Sequence, residues 1–239
     1  MRLQGRIALI TGGSKGIGRS LAQLFSEEGA KLIICSRTEH DIQNVARQLK
    51  QGGGEVYAEA LDISDGKRLE NFIQKGEKEI GPIDILINNA SLLGPMVPLL
   101  EMPLKDWEKV LSVNLTAIFH LTQLVLPKML TKGKGCIINM TSSVGRKGRA
   151  LWGGYSVSKF GVEGITQVLA EELRDQNIRV MALNPGGTRT EMRARAYPNE
   201  DPKQLPAPDT IAHVVLHLVL NAGLDWSGRS LDARDFFSI

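Results

Sequence analysis

The sequence holds two cysteines among 239 residues, and neither Cys35 nor Cys136 belongs to a C-x-x-C pair or a Cys/His cluster. Disulfide scaffolds and structural zinc are thereby excluded, no metal site is expected, and thiols inside apolar runs point to a reducing, cytoplasmic setting. Charge of one sign is also scarce: Lys+Arg 29 against Asp+Glu 26 leaves +3, spread along the chain. No basic stripe is present to hold nucleic acid. No uninterrupted apolar run approaches the ~18 residues of a membrane span. The apolar stretch before Gly12 is too short for a signal peptide and lacks the pattern of a transit peptide. What remains is ordinary globular material, 42% hydrophobic and 23% charged, enough for one sizeable core.

Within that material, short β-rich runs alternate with segments of helical period. Residues 7–11, 32–36, 56–61, 83–87, 136–140 and 178–183 are apolar on both faces, with a weaker seventh run at 230–232. Helical patterns occupy 16–28, 39–51, 67–79, 106–130, 154–176 and 209–220. Strands covered on two sides and joined by helices predict an α/β fold: a doubly wound, mostly parallel sheet in three layers, one Rossmann-fold domain over 1–239. The proline- and charge-rich segment 190–208 is a substrate lid or a surface loop.

Gly12, Ser14, Lys15, Gly16, Ile17 and Gly18 form a turn between the first strand and the first helix. Glycines there let backbone N–H groups and the positive helix end approach a pyrophosphate. The second strand ends Cys35-Ser36-Arg37, with no acid to accept from a ribose diol and repel a 2′-phosphate. Arg37 and Lys15 suit that phosphate and favour NADP(H) over NAD(H), unless both merely face solvent. Tyr155 and Lys159, four apart on a helical segment, share one face.

The spacing G-x-x-x-G-x-G and the motifs after it, from Gly5 to about Thr190, resemble the short-chain dehydrogenase/reductase family. The resemblance implies that Asp62 and Ile63 hold the adenine and that Asn89 and Ala90 continue the cofactor wall. Ser91 stands where that motif ordinarily has glycine, which would leave its backbone less free. Pro185, Gly186, Thr188 and Thr190 resemble the segment that meets the nicotinamide carboxamide. Asn114, Ser142, Tyr155 and Lys159 match the catalytic tetrad, with Ser143 the competitor excluded by spacing. Lys159 would also meet the nicotinamide ribose, Ser142 the substrate oxygen, and Asn114 a water linking Lys159 to solvent.

Hydride addition to a carbonyl leaves charge on oxygen, so a proton must arrive there; Tyr155 is the expected acid, its pKa drawn down by the Lys159 ammonium. The function implied is an NADP(H)-dependent oxidoreductase acting on a small-molecule carbonyl or secondary alcohol. A 3-oxoacyl-[acyl-carrier-protein] reductase is an alternative, for which Lys128, Lys132, Lys134, Arg146, Lys147 and Arg149 would dock the carrier. Arg189, Arg193 and Arg195 would instead select an anionic substrate. A dinucleotide-sensing module without chemistry needs no tetrad, and a methyltransferase has no use for Tyr155 and Lys159. A homo-oligomer, dimer or tetramer, is expected; the apolar face of Ile211, Val214, Val215, Leu218 and Val219 packs either internally or on a partner. Beyond Thr190 the resemblance thins, and 226–234 lack the family's paired glycines.

Overall fold

A computed structural model describes residues 1–237; the last two positions of the expected 1–239 domain lie outside the described residues. Seven parallel strands form one sheet: β1 (Ile7–Thr11), β2 (Lys31–Ser36), β3 (Val56–Ala60), β4 (Ile85–Asn88), β5 (Gly135–Met140), β6 (Ile178–Asn184) and β7 (Ser230–Asp232). Their order is β3-β2-β1-β4-β5-β6-β7. The helices are α1 (Gly16–Glu27), α2 (Glu39–Gln51), α3 (Gly66–Glu79), α4 (Leu104–Leu111), α5 (Ala117–Lys132), α6 (Gly153–Glu172), α7 (Glu191–Ala196) and α8 (Pro208–Asn221).

Strand alternation divides the core. Ala8 and Ile10 of β1 point to the layer of α1, α2 and α8, while Ile7 and Leu9 point to that of α3, α5 and α6. The face of α8 in question packs internally: Ile211, Val214, Val215, Leu218 and Val219 are all buried within the chain. One expected strand departs from the two-sided pattern. β3 pairs only with β2, and four of its five residues are partly exposed, because an edge strand has less to cover it.

The fourth strand starts two residues later than expected. The Asp84 N–H donates to the Ile7 carbonyl and the Asp84 carbonyl accepts from the Cys136 N–H, while its side chain accepts from the Ile7 N–H and pairs with Lys132, so it sits at the margin of the ladder. Leu104–Lys132 forms one helical run, interrupted at 112–116 by a π turn around Asn114. By length and composition alone this run would suffice to cross a bilayer. Val113, Ala117, Leu121, Val125 and Met129 are instead buried in the core, which accounts for its apolarity.

Chain order reverses between β1 and β4, and the crevice outside their carboxyl ends is where such sheets receive ligands. It opens here as a cleft of about 1150 Å³.

Candidate active site

At the switch point, backbone and short side chains do the positioning. Thr11 Oγ1 accepts from the N–H groups of Asn89 and Ala90, both at 3.0 Å, and Asn89 Nδ2 donates to the Thr11 carbonyl at 2.8 Å. These bonds draw the β4 loop onto the glycine turn. Gly12 and Gly16 have φ of +68° and +50°, where a Cβ is strained, and a Cβ on Gly18 would collide with the Gly12 carbonyl. Lys15 precedes α1 without a side-chain cap, leaving the first amides of the helix open toward an anion.

Around the end of β2, the Ser36 hydroxyl is buried without a hydrogen-bond partner among the described residues. Arg37 is exposed and in no ion pair among them, and both side chains line the cleft together with Lys15. A hydroxyl and two cations suit a phosphate ester; a diol would want an acid. Lys15 is not free, however: it pairs with Asp41 at 3.3 Å and Glu191 at 3.5 Å, exposed contacts that a phosphate can displace at small cost. Asp62 also has partners that sequence reasoning missed. Burial raises its pKa, but hydrogen bonds from Lys109 (2.7 Å) and Ser64 prevail and hold it down at about 2. Three acceptor sites of that carboxylate are taken, which leaves one for an adenine amine.

The opposite end is built from side chains on β5 and α6. Tyr155 and Lys159 are 8% and 2% exposed, one helical turn apart. Lys159 Nζ donates to the Met140 carbonyl at 2.8 Å and sits 5.5 Å from the centre of the Tyr155 ring. The Ser142 and Ser91 hydroxyls face the phenol. This corrects one expectation: the phenol is not drawn down by its lysine. Burial pushes Tyr155 up to about 12, partly offset by the two serines, while the Lys159 ammonium is tied to the Met140 carbonyl. Burial likewise pushes Lys159 down to about 8, against the pull of Glu163. A buried ammonium destabilises the native state below about pH 8, a penalty that fades as pH rises toward the unfolded value.

Glu163, one turn beyond Lys159, was not anticipated. It is buried and accepts from Thr141 Oγ1 (2.9 Å) and Ser230 Oγ (2.8 Å), which links β7 to the lysine's helix. Asn114 is fully engaged: it accepts from Leu92 N–H at 2.7 Å and donates to the Leu92 carbonyl and to Ser158. Its side chain pins the β4 loop, and the π turn at its backbone is the kind of local widening found at functional sites.

Of the residues singled out from sequence, Gly12, Ser14, Lys15, Gly16, Ile17, Arg37, Asp62, Ile63, Asn89, Ala90, Tyr155, Lys159, Pro185 and Thr190 line the cleft. Gly18, Asn114, Ser142, Gly186 and Thr188 are not among its lining residues. Thr188 is buried with its hydroxyl directed to the Pro185 carbonyl at 3.3 Å, so its side chain braces the loop. Gly186 has φ +70° and donates to Asn184 Oδ1.

The segment 190–208 is structured. Thr190 caps α7, Arg193 forks onto Glu200 at 2.6 Å while lying 3.7 Å over the Tyr197 ring, and Arg149 bonds the Tyr197 hydroxyl. Trp152 stands between the Tyr155 and Tyr197 rings, 5.7 and 5.8 Å away. Most of the cations expected to dock a carrier are engaged as well. Lys128 pairs with Glu77, Lys132 with Asp84 and Arg146 with Asp232, and Arg149 holds Tyr197. Arg193 is likewise taken, while Arg189 and Arg195 line the cleft without an ion pair among the described residues.

Residues 6–201 match a family model described as short chain dehydrogenase. The chain is 38% identical over 235 residues to the uncharacterised oxidoreductase YciK of Escherichia coli K12, covering 97% of this chain and 93% of that protein. It is 34% identical to the 3-oxoacyl-[acyl-carrier-protein] reductase FabG of Thermotoga maritima, covering 91% and 92%. A crystal structure from Escherichia coli CFT073, solved with NADPH, superposes with a TM-score of 0.90 at 38% identity, covering 97% of this chain and 98% of that one.

Proposed function

This chain belongs to the short-chain dehydrogenase family, and from that membership we propose an NADP(H)-dependent oxidoreductase that moves hydride between the nicotinamide and a carbonyl or secondary alcohol. The observation that carries the reading is that Tyr155 and Lys159 share one cleft with the glycine turn and with a β2 end bearing Ser36 and Arg37.

In this reading the amides of Gly12 to Gly18, with Ser14, hold the pyrophosphate. Arg37, Lys15 and Ser36 take the 2′-phosphate, and Asp62 and Ile63 the adenine. Asn89, Ala90, Pro185, Gly186, Thr188 and Thr190 shape the nicotinamide end. The cofactor, when bound, supplies or accepts the hydride. Tyr155, held protonated by burial, gives its proton to the substrate oxygen as charge develops there, and takes one back in the reverse direction. Ser142 donates to the same oxygen. Lys159, its pKa pushed down by burial to about 8, returns the proton to the phenolate, and the backbone at the Asn114 π turn holds the water that resupplies it.

A buried ammonium beside a buried phenol has no use in a module that only senses a dinucleotide, which favours the enzyme over that alternative. The acyl-carrier version draws on the FabG relative, whereas the pairing of most candidate docking cations speaks against it; Lys134 and Lys147 remain in no ion pair among the described residues. Val157, Phe160 and Val168 on α6 and Phe119 on α5 are exposed apolar side chains, which supports a homo-oligomer. Two free thiols, Cys35 and Cys136, are in keeping with a cytoplasmic protein.

The test is a panel of ketones, aldehydes and 3-oxoacyl thioesters with NADPH and NADH in parallel. Oxidation of NADPH with at least one carbonyl, and more slowly of NADH, is expected. Tight NADPH binding with no oxidation across the panel contradicts the reading.

A further inference from the structure

The loop after β4 is pinned on both sides of Ser91. Before it, the Ala90 N–H donates to Thr11 Oγ1 at 3.0 Å; after it, Leu92 exchanges two hydrogen bonds with the Asn114 amide. Ser91 itself has no left-handed backbone, so nothing in the local conformation calls for the glycine that the family motif carries there. The fixed chain holds its hydroxyl in the cleft wall, buried, facing the Tyr155 phenol without closing a hydrogen bond onto it or onto any other described residue. A buried hydroxyl left unmet is destabilising unless a second state of the site supplies its partner.

We propose that Ser91 is a second hydroxyl support for the Tyr155 oxygen: when the phenol gives up its proton, the Ser91 O–H turns onto the phenolate beside that of Ser142. Ser91 is a positioning residue in this account, acting through Tyr155, and the inference rests on the reading of Tyr155 as the acid/base group. The charged groups around the phenol leave room for such support. Lys159 of α6 lies over the ring and is tied to the Met140 carbonyl, Glu163 lies a turn beyond it, Asp106 of α4 belongs to the cleft wall, and Arg189 and Arg195 line the cleft from beyond β6. With the cation held over the ring face, two hydroxyls are left to receive the charge on the oxygen.

The test replaces Tyr155 site-specifically with 3,5-difluorotyrosine, whose more acidic phenol titrates while the protein stays folded, and follows the fluorine resonance against pH. Ser91→Ala is expected to raise the midpoint by about one pH unit, the scale of one hydrogen bond to a charged group. Ser91→Thr, which keeps the hydroxyl, should restore it. An unchanged midpoint in Ser91→Ala, or a Ser91→Thr midpoint displaced as far as that of Ser91→Ala, overturns the proposal. The titration needs neither cofactor nor substrate, so its outcome is separate from that of the carbonyl panel. In unlabelled enzyme, alcohol oxidation below the Tyr155 pKa should fall about tenfold in Ser91→Ala at constant NADP⁺ affinity.

Discussion

The two ends of the cleft are made differently. At the glycine end several recognition groups are unmet: α1 has no side-chain cap, the Ser36 hydroxyl has no partner among the described residues, and Arg37 is exposed, while Lys15 is held only by exposed pairs with Asp41 and Glu191. At the tyrosine end almost every polar atom is already spoken for. Ser156 Oγ donates to the Val144 carbonyl and Ser158 Oγ to the Tyr155 carbonyl, each at 2.6 Å; Lys159 holds Met140, and Thr141 and Ser230 hold Glu163. An end that binds a large polyanion gains by presenting free donors. An end that moves one proton gains by holding its groups still. Ser91, buried near the phenol with no partner among the described residues, departs from that pattern.

If that division of labour holds, substitutions at the two ends separate affinity from chemistry. Tyr155→Phe should carry the largest effect, a loss of roughly 10²- to 10⁴-fold in turnover with NADPH affinity close to that of the parent. Fluorescence titration of NADPH and single-turnover absorbance measure the two quantities independently. A large loss of affinity would mean that the tyrosine end also supplies binding. The smaller effect belongs to Arg37→Asp, which should shift the NADPH-to-NADH preference by about 10- to 100-fold toward NADH, since one charge-assisted contact to a phosphate is removed and a diol acceptor added. The hydride-transfer rate at saturating NADH should not move. An unchanged preference would remove Arg37 from the phosphate site and blur the contrast.

Much of this was legible beforehand, for physical reasons that differ by element. Apolar runs and glycine stops located the first six strands, because a strand covered on both faces has nowhere to put polar residues; the rule weakens at the two edges, in β3 with Tyr57 and Glu59 and in the short, partly exposed β7. Tyr155 and Lys159 were found through helical spacing, which is local. Lys109 on Asp62, Thr11 under Asn89 and Ser230 on Glu163 were not, since they join residues 47, 78 and 67 positions apart and no local pattern encodes such pairs. The direction of the Tyr155 pKa was misjudged for a related reason. Spacing puts the ammonium on the right face, but only the Met140 carbonyl determines where along the ring it rests. Segment 190–208 was legible as irregular, whereas the clamp of Arg193, Tyr197 and Glu200 depends on a fold-back that composition does not reveal.

A crystal structure of the protein with NADPH bears most directly on the central claim that the phenol and its lysine face the reactive ring. The account predicts density for the nicotinamide against Tyr155, with Lys159 Nζ within hydrogen-bond reach of the adjoining ribose and the adenosine 2′-phosphate beside Arg37. A nicotinamide ring turned away from Tyr155, with the adenosine still seated on the glycine turn, would contradict it.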